Sequence, residues 1–232
     1  IMDQRNVNGP NADYEYYTKH EDEIMIEKNN FNMTDLTMDI STNSMLKAKV
    51  VIKVDNKNLE KYKFTLYHGY KISKITDGNN DELDFTRDSD YLTINNTSKS
   101  KLIKIYYHGS CDKYYSNYLS AFLPGNFAFY PIPGFNEMYS KYSYSGFNNL
   151  SLPYETDFNV TVHSLKKVQC NLESVTNNEF KGKSDSLTLL SGFIDCVTVD
   201  KTQIYYPYFN DAYNSDTINE KLETFVSENP NI

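Results

Sequence analysis

The chain has 232 residues, 39% hydrophobic and 23% charged, with a formal net charge of −8 at neutral pH. This balance excludes an intrinsically disordered chain, and the acidic sign excludes the basic footprint by which nucleic acid or anionic lipid is bound. Neither a run of about 18 apolar residues nor a signal peptide is visible, so no transmembrane helix is read within the stretch.

Taken in order, residues 1–30 read as a flexible leader, with NVNGPNAD, followed by a polar edge segment, YEYYTKHEDEIMIEKNN, whose charges mark a solvated face. From Phe31 the apolar residues recur every second position. LTMDI places Leu36, Met38 and Ile40 on one face, and MLKAKVVIKV places Leu46, Ala48, Val50, Ile52 and Val54 there. KYKFTLYHG follows with Tyr62, Phe64 and Leu66 in phase, and KLIKIYYHG with Leu102, Ile103, Ile105 and Tyr107. Turns at STNS, DNKN, DGNN and TRDSD separate them, the pattern of half-buried antiparallel strands. Pro124, Pro131, Pro133 and Pro153 exclude central-strand pairing, so residues 109–153 read as a long, irregular but ordered connection. Phe158, Val160 and Val162 resume the alternation, and later strands run through SLTLLSGFIDCVTVDKTQIYYPY. No helical period of useful length precedes residue 215. In the tail, Ile218, Leu222, Phe225 and Val226 stand at helical spacing, and Thr217 with Glu220 forms a capping box, which predicts a helix over about 217–228.

The fold class is therefore all-β, a sandwich or saddle of antiparallel and mixed sheets over residues 31–212. Residues 213–232 supply a C-terminal helix leading into a following domain. Ile1 standing ahead of Met2, and the ending ENPNI, give the expectation of a domain excised from a longer protein.

Reactive residues are sparse. Cys111, Cys170 and Cys196 show no CxxC spacing and read as small apolar thiols, with a Cys170–Cys196 disulfide as the alternative. His68 and His108 each end a strand before a glycine; they read as polar strand ends unless the fold makes them a metal or proton-transfer pair. His108 and Cys111 lack an orienting third group for nucleophilic catalysis. The carboxylate pairs Asp81/Glu82 and Asp88/Asp90 lie in turns, where they satisfy backbone. HExxH, GxSxG, GxGxxG and the P-loop are all absent, so no catalytic, metal or cofactor residue is assigned. Sequons at Asn32, Asn95, Asn96, Asn149 and Asn159 suit a secreted chain but are expected by chance in one so rich in asparagine.

The densest signal is aromatic. Tyr114, Tyr115, Tyr118, Phe129, Tyr130 and Tyr139, with Phe122, Phe127, Phe135, Tyr142, Tyr144 and Phe147, crowd one stretch. They form either a sugar- or peptide-binding platform or a packed cluster anchoring the long connection, and the second is favoured because loops with this much apolar surface pack it down.

The order LTMDI, LKAKVVIKVDN, FTLYHGYKISKITDGN, DYLTINN, LIKIYYHGS, LPGNFAFYPIPG, LPYETDFNVTVHSL, SLTLLSGFIDCVTV resembles the N-terminal β domain of the aminopeptidase N-like zinc metallopeptidase family over residues 30–212. The succession Y-x-G, LPG, YP, G, with no Pro-x-Gln motif, is similar to a bacterial branch in which the peptidase-like region is the extracytoplasmic part of an ABC transporter permease. The resemblance implies a non-catalytic domain on the extracytoplasmic face of a membrane. Its partners would be the transmembrane or peptidase-like part of its own parent chain and a peptide or small ligand, without nucleic acid and without a cofactor. The family's zinc motif lies in a domain this chain lacks, so no catalytic residue carries over. The alternatives are the accessory domain of an active zinc aminopeptidase and a carbohydrate-binding surface sandwich.

Overall fold

Period-two alternation builds the largest sheet. The structure, a computed structural model, describes residues 12–21, 24–56, 58–140, 146–199, 202–207 and 215–228. Strands β1 (Met33–Ser41), β2 (Leu46–Val54), β3 (Lys61–Thr65), β4 (Tyr70–Asp77), β5 (Phe85–Asp88), β6 (Tyr91–Asn95) and β7 (Leu102–Gly109) form the first half. Next come β8 (Ala121–Leu123), β9 (Ile132–Pro133), β10 (Thr156–His163), β11 (Val168–Cys170), β12 (Glu173–Thr176), β13 (Glu179–Ser184) and β14 (Leu189–Ser191). The hairpin β15 (Ile194–Val199) and β16 (Thr202–Pro207) closes the strand series. Seven strands pair in the order β12-β13-β10-β1-β2-β7-β4, four as β5-β6-β3-β9 and three as β11-β14-β8. Among the described residues every strand pairing is antiparallel except β1 with β10, which run parallel with Leu36 opposite Phe158 and Met38 opposite Val160. The architecture is an all-β sandwich with one mixed sheet.

The core lies between the sheets. Leu36, Met38 and Ile40 of β1, Val50 and Ile52 of β2, Ile103 and Ile105 of β7, and Val160 and Val162 of β10 are fully buried. They join Tyr62, Phe64, Leu92 and Ile94 of the four-stranded sheet in one cluster. The other face of the large sheet carries Asp35, Asp39, Lys47, Lys49 and Lys53, so it faces water.

Several expectations need correction. Leu102 is exposed while Ile103 is buried, since neighbours on a strand face opposite ways. The connection 109–153 holds two short strands: β8 pairs with β14, and β9 pairs with the edge of β3 through Pro133, where a missing N–H is tolerated. The late strand signal breaks at Gly192, whose φ of +138° and close approach to Ser120 admit no side chain, so it yields β14 and β15. The stretch after residue 11 is not a solvated face alone: Ala12–Lys19 form helix α1. Residues 1–11 of the expected leader lie outside the described residues. Helix α2 spans Ser215–Glu228, beginning before Thr217, so Thr217 stands inside the helix rather than at its cap. No helix among the described residues is long and apolar enough to cross a membrane.

Leu36 sits between Ile52 and Phe158 in the register of the large sheet. Leu36→Ala is expected to cost about 2–5 kcal/mol in urea unfolding, whereas Thr37→Ala on the solvent face stays within about 0.5 kcal/mol.

Candidate functional site

Ionisable and aromatic side chains converge where α1 meets the loop between β3 and β4. Asp13, Tyr16, Tyr17 and His20 stand at i, i+3, i+4 and i+7, one face of the helix. That face meets His68. The Tyr16 ring stacks on the His68 ring at 3.6 Å between centroids and 6° between planes, and His20 stacks on Tyr16 at 4.2 Å. The Tyr17 hydroxyl donates to Asp90 Oδ2 at 2.9 Å, and its ring stacks on Tyr139 at 4.5 Å. Tyr67 donates to Asp13 Oδ1 at 2.6 Å. His68 Nδ1 lies 3.2 Å from the Tyr17 hydroxyl and 3.3 Å from Asp90 Oδ1, which also accepts the His68 backbone N–H at 2.6 Å. Tyr16 donates to Ser89 Oγ at 3.0 Å.

Arg87 fixes the receiving loop. Its guanidinium donates to the carbonyls of Leu66 (2.8 Å), Tyr67 (2.7 Å), Ser89 (2.9 Å) and Tyr70. Carbonyls thus occupy the planar fork of donors that elsewhere grips carboxylates. Burial raises the Asp13 pKa, opposed by the Tyr67 hydrogen bond and the nearby His68. Burial pushes the Cys111 thiol up to about 12, with Asp13 Oδ2 at 4.0 Å from its sulfur adding to the rise. A thiol held protonated in this way is not a nucleophile at neutral pH. The polar groups of this cluster hold α1 against the loop.

The residues singled out in sequence separate. Tyr114, Phe129 and Tyr130 are buried, and Phe129 accepts a hydrogen bond from the Tyr107 hydroxyl at 2.7 Å, so these rings are core rather than ligand surface. Tyr139 is half-buried beneath Tyr17 and Tyr115 is half-buried, while Tyr118 is exposed. Tyr142 and Tyr144 lie outside the described residues. His68 belongs to the α1 cluster, whereas His108 faces the outer groove of the large sheet, so the two histidines serve different sites. Asp81 and Glu82 stay in their turn, Glu82 pairing with Lys74 at 3.2 Å, but Asp90 is drawn into the α1 cluster. The Cys170–Cys196 bridge is not formed: no disulfide joins the two, one lying in the three-stranded sheet and one in the β15–β16 hairpin.

A third feature is apolar and exposed. Leu165 (75%), Tyr118 (57%), Phe193 (48%) and Phe122 (38%) stand out around the three-stranded sheet. Gly192 packs on Ser120 and the carbonyl of Leu119, which brings Phe193 beside the 118–120 turn, and Lys166 Nζ lies 4.5 Å over the Phe193 ring. Sequence reasoning missed this grouping because its members come from three separate segments. It also missed α1, although the i, i+3, i+4, i+7 spacing of Asp13, Tyr16, Tyr17 and His20 was there to be read.

No family model and no curated protein matches the chain. Solved structures do. Yeast LTA4 hydrolase in complex with bestatin matches with a TM-score of 0.57 at 12% identity, over 85% of this chain and 34% of that one. Native yeast LTA4 hydrolase gives 0.56 at 14%, over 87% and 36%. An aminopeptidase N family protein from Idiomarina loihiensis gives 0.54 at 13%, over 83% and 36%. The chain therefore spans about a third of the length of these structures. It has the fold of their N-terminal domain region.

The raised pKa of Asp13 makes α1 docking pH-dependent. Between the ordinary aspartate value of 3.8 and the higher folded value, the folded state keeps a proton that the unfolded state releases, so Asp13 contributes stability below this window and loses it as pH rises through it. Asp13→Asn is expected to gain stability relative to the parent chain as pH rises from 3.8 upward, read by urea unfolding and by amide protection of α1. A difference that does not change with pH contradicts this.

Proposed function

We propose that the chain is a non-catalytic extracytoplasmic β domain of a membrane-bound ABC transporter permease carrying a peptidase-like region, and that it serves contact with neighbouring domains of its parent or with a peptide or small ligand. The observation that carries the contact role is the apolar group Tyr118, Phe122, Leu165 and Phe193, exposed on a chain of net charge −8. Large apolar side chains gathered from separate segments mark surfaces that become covered. The order of the Y-x-G, LPG and YP motifs supports the transporter branch. The burial of Tyr114, Phe129 and Tyr130 weighs against the carbohydrate platform.

A second reading, the accessory domain of a working zinc aminopeptidase, draws support from the fold neighbours, which include LTA4 hydrolase and an aminopeptidase N family protein. In either case the rest of the parent supplies any zinc site. Zinc content and peptide hydrolysis of the full parent separate the two: stoichiometric metal and turnover favour the accessory domain, and neither is expected on the transporter reading.

The contact role is tested by adding the isolated chain to the remainder of the parent. Leu165→Ser with Phe193→Ser is expected to weaken association about tenfold or more while leaving thermal unfolding unchanged, because both residues are exposed in the free chain. Unchanged affinity contradicts it.

A further inference from the structure

On the outer face of the seven-stranded sheet, far in sequence from the apolar group, β2 and β7 line a groove of about 620 Å³ with Lys47, Lys49, Tyr106 and His108, bounded by Asp39 and Ser41 of β1. The register sets Lys47 opposite His108 and His108 opposite Lys71, with Lys49 opposite Tyr106 in the next row on this face. Most cations around this face are already committed. Lys53 pairs with Asp35 at 3.3 Å, Lys74 with Glu82 at 3.2 Å, and Lys104 donates to Gly78 and Asn80. Lys47, Lys49 and Lys71 have no carboxylate within 4.0 Å among the described residues; Lys49 Nζ lies 6.0 Å from the Tyr106 ring centroid. Two lysines lining one groove, with Lys71 opposite His108 in the adjoining strand, stand out on a chain of net charge −8. Asp39, directly opposite Lys49 in the β1–β2 register, lines the same groove and lies 3.0 Å from His163 Nε2.

We propose that this groove binds an extended acidic peptide segment. Lys47 and Lys49 are alternate residues of one strand, so their ammonium groups repeat at about 6.6–7 Å, the spacing of carboxylates at i and i+2 of an extended chain. Lys71 and His108 place further donors across the strands at one end, and the Tyr106 ring gives the peptide backbone an apolar surface to lie against. An anionic membrane is the poorer occupant, since the overall negative charge of the chain opposes its approach. The site does not depend on which parent the domain belongs to.

The test uses the full 232-residue chain and a fluorescein-labelled peptide of alternating glutamate and threonine, followed by anisotropy. A block peptide of the same composition and phosphatidylserine-containing vesicles serve as comparisons. The alternating peptide is expected to bind best, with affinity falling as salt rises. Lys47→Gln with Lys49→Gln is expected to weaken it about tenfold, the sum of two exposed ion pairs. The same variant should unfold at an unchanged temperature, and Leu165→Ser with Phe193→Ser should bind the peptide normally. Equal binding of alternating and block peptides, preference for vesicles, or no binding would each overturn the proposal.

Discussion

The parallel pairing of β1 with β10 is the constraint on which the rest of the structure depends. It joins Asp35–Ser41 to Asp157–His163 in the middle of the large sheet. Its approach is fixed by the Tyr154 hydroxyl accepting the Met33 N–H at 2.6 Å and by Thr156 Oγ1 donating to the Met33 carbonyl at 2.9 Å. A parallel neighbour cannot be reached through a tight hairpin, so the chain must cross the fold between the end of β7 and the start of β10. The usual crossover is a helix. Here it is an extended, proline-punctuated path, and an extended path needs its own apolar anchors. Phe127, Phe129, Tyr130 and Ile132 supply them from within the crossover, fully buried between the sheets. The aromatic density of this stretch is thereby explained by topology.

Alternation identified β1, β2, β7 and β10 and the buried face of each, because a sheet with one wet face writes period two directly into the chain. The turns at Asp77–Asn80 and Ser89–Asp90 were equally visible, and Asn80 and Ser89 do adopt positive φ. Strands β8 and β9 were not legible, being three and two residues long and held by partners far away. Nor was the division of the aromatics: Tyr130 in the core and Tyr118 in solvent look alike in composition, and only the path of the crossover separates them. α1 was hidden for another reason. Its contact face is made of tyrosine, aspartate and histidine, so polar residues carry the helical period that apolar ones usually carry.

The reactive side chains have a common fate. Asp90, His68, Arg87 and Cys111 are the groups from which a site would be assembled, and each is engaged in fixing α1, the 66–70 loop or the start of the crossover. What the domain offers outward is two surfaces of opposite character: an apolar group at the three-stranded sheet and a basic groove on the large one. Both suit recognition, the first by burial of area and the second by charge and strand spacing.

The most direct measurement is amide hydrogen exchange on the longer parent protein compared with the isolated chain. The account predicts added protection in the parent at the segments around Tyr118–Phe122, Leu165–Lys167 and Gly192–Ile194, with the core strands β1, β2 and β10 unchanged. Equal exchange in these segments in both forms would contradict the claim that the domain docks through its apolar group.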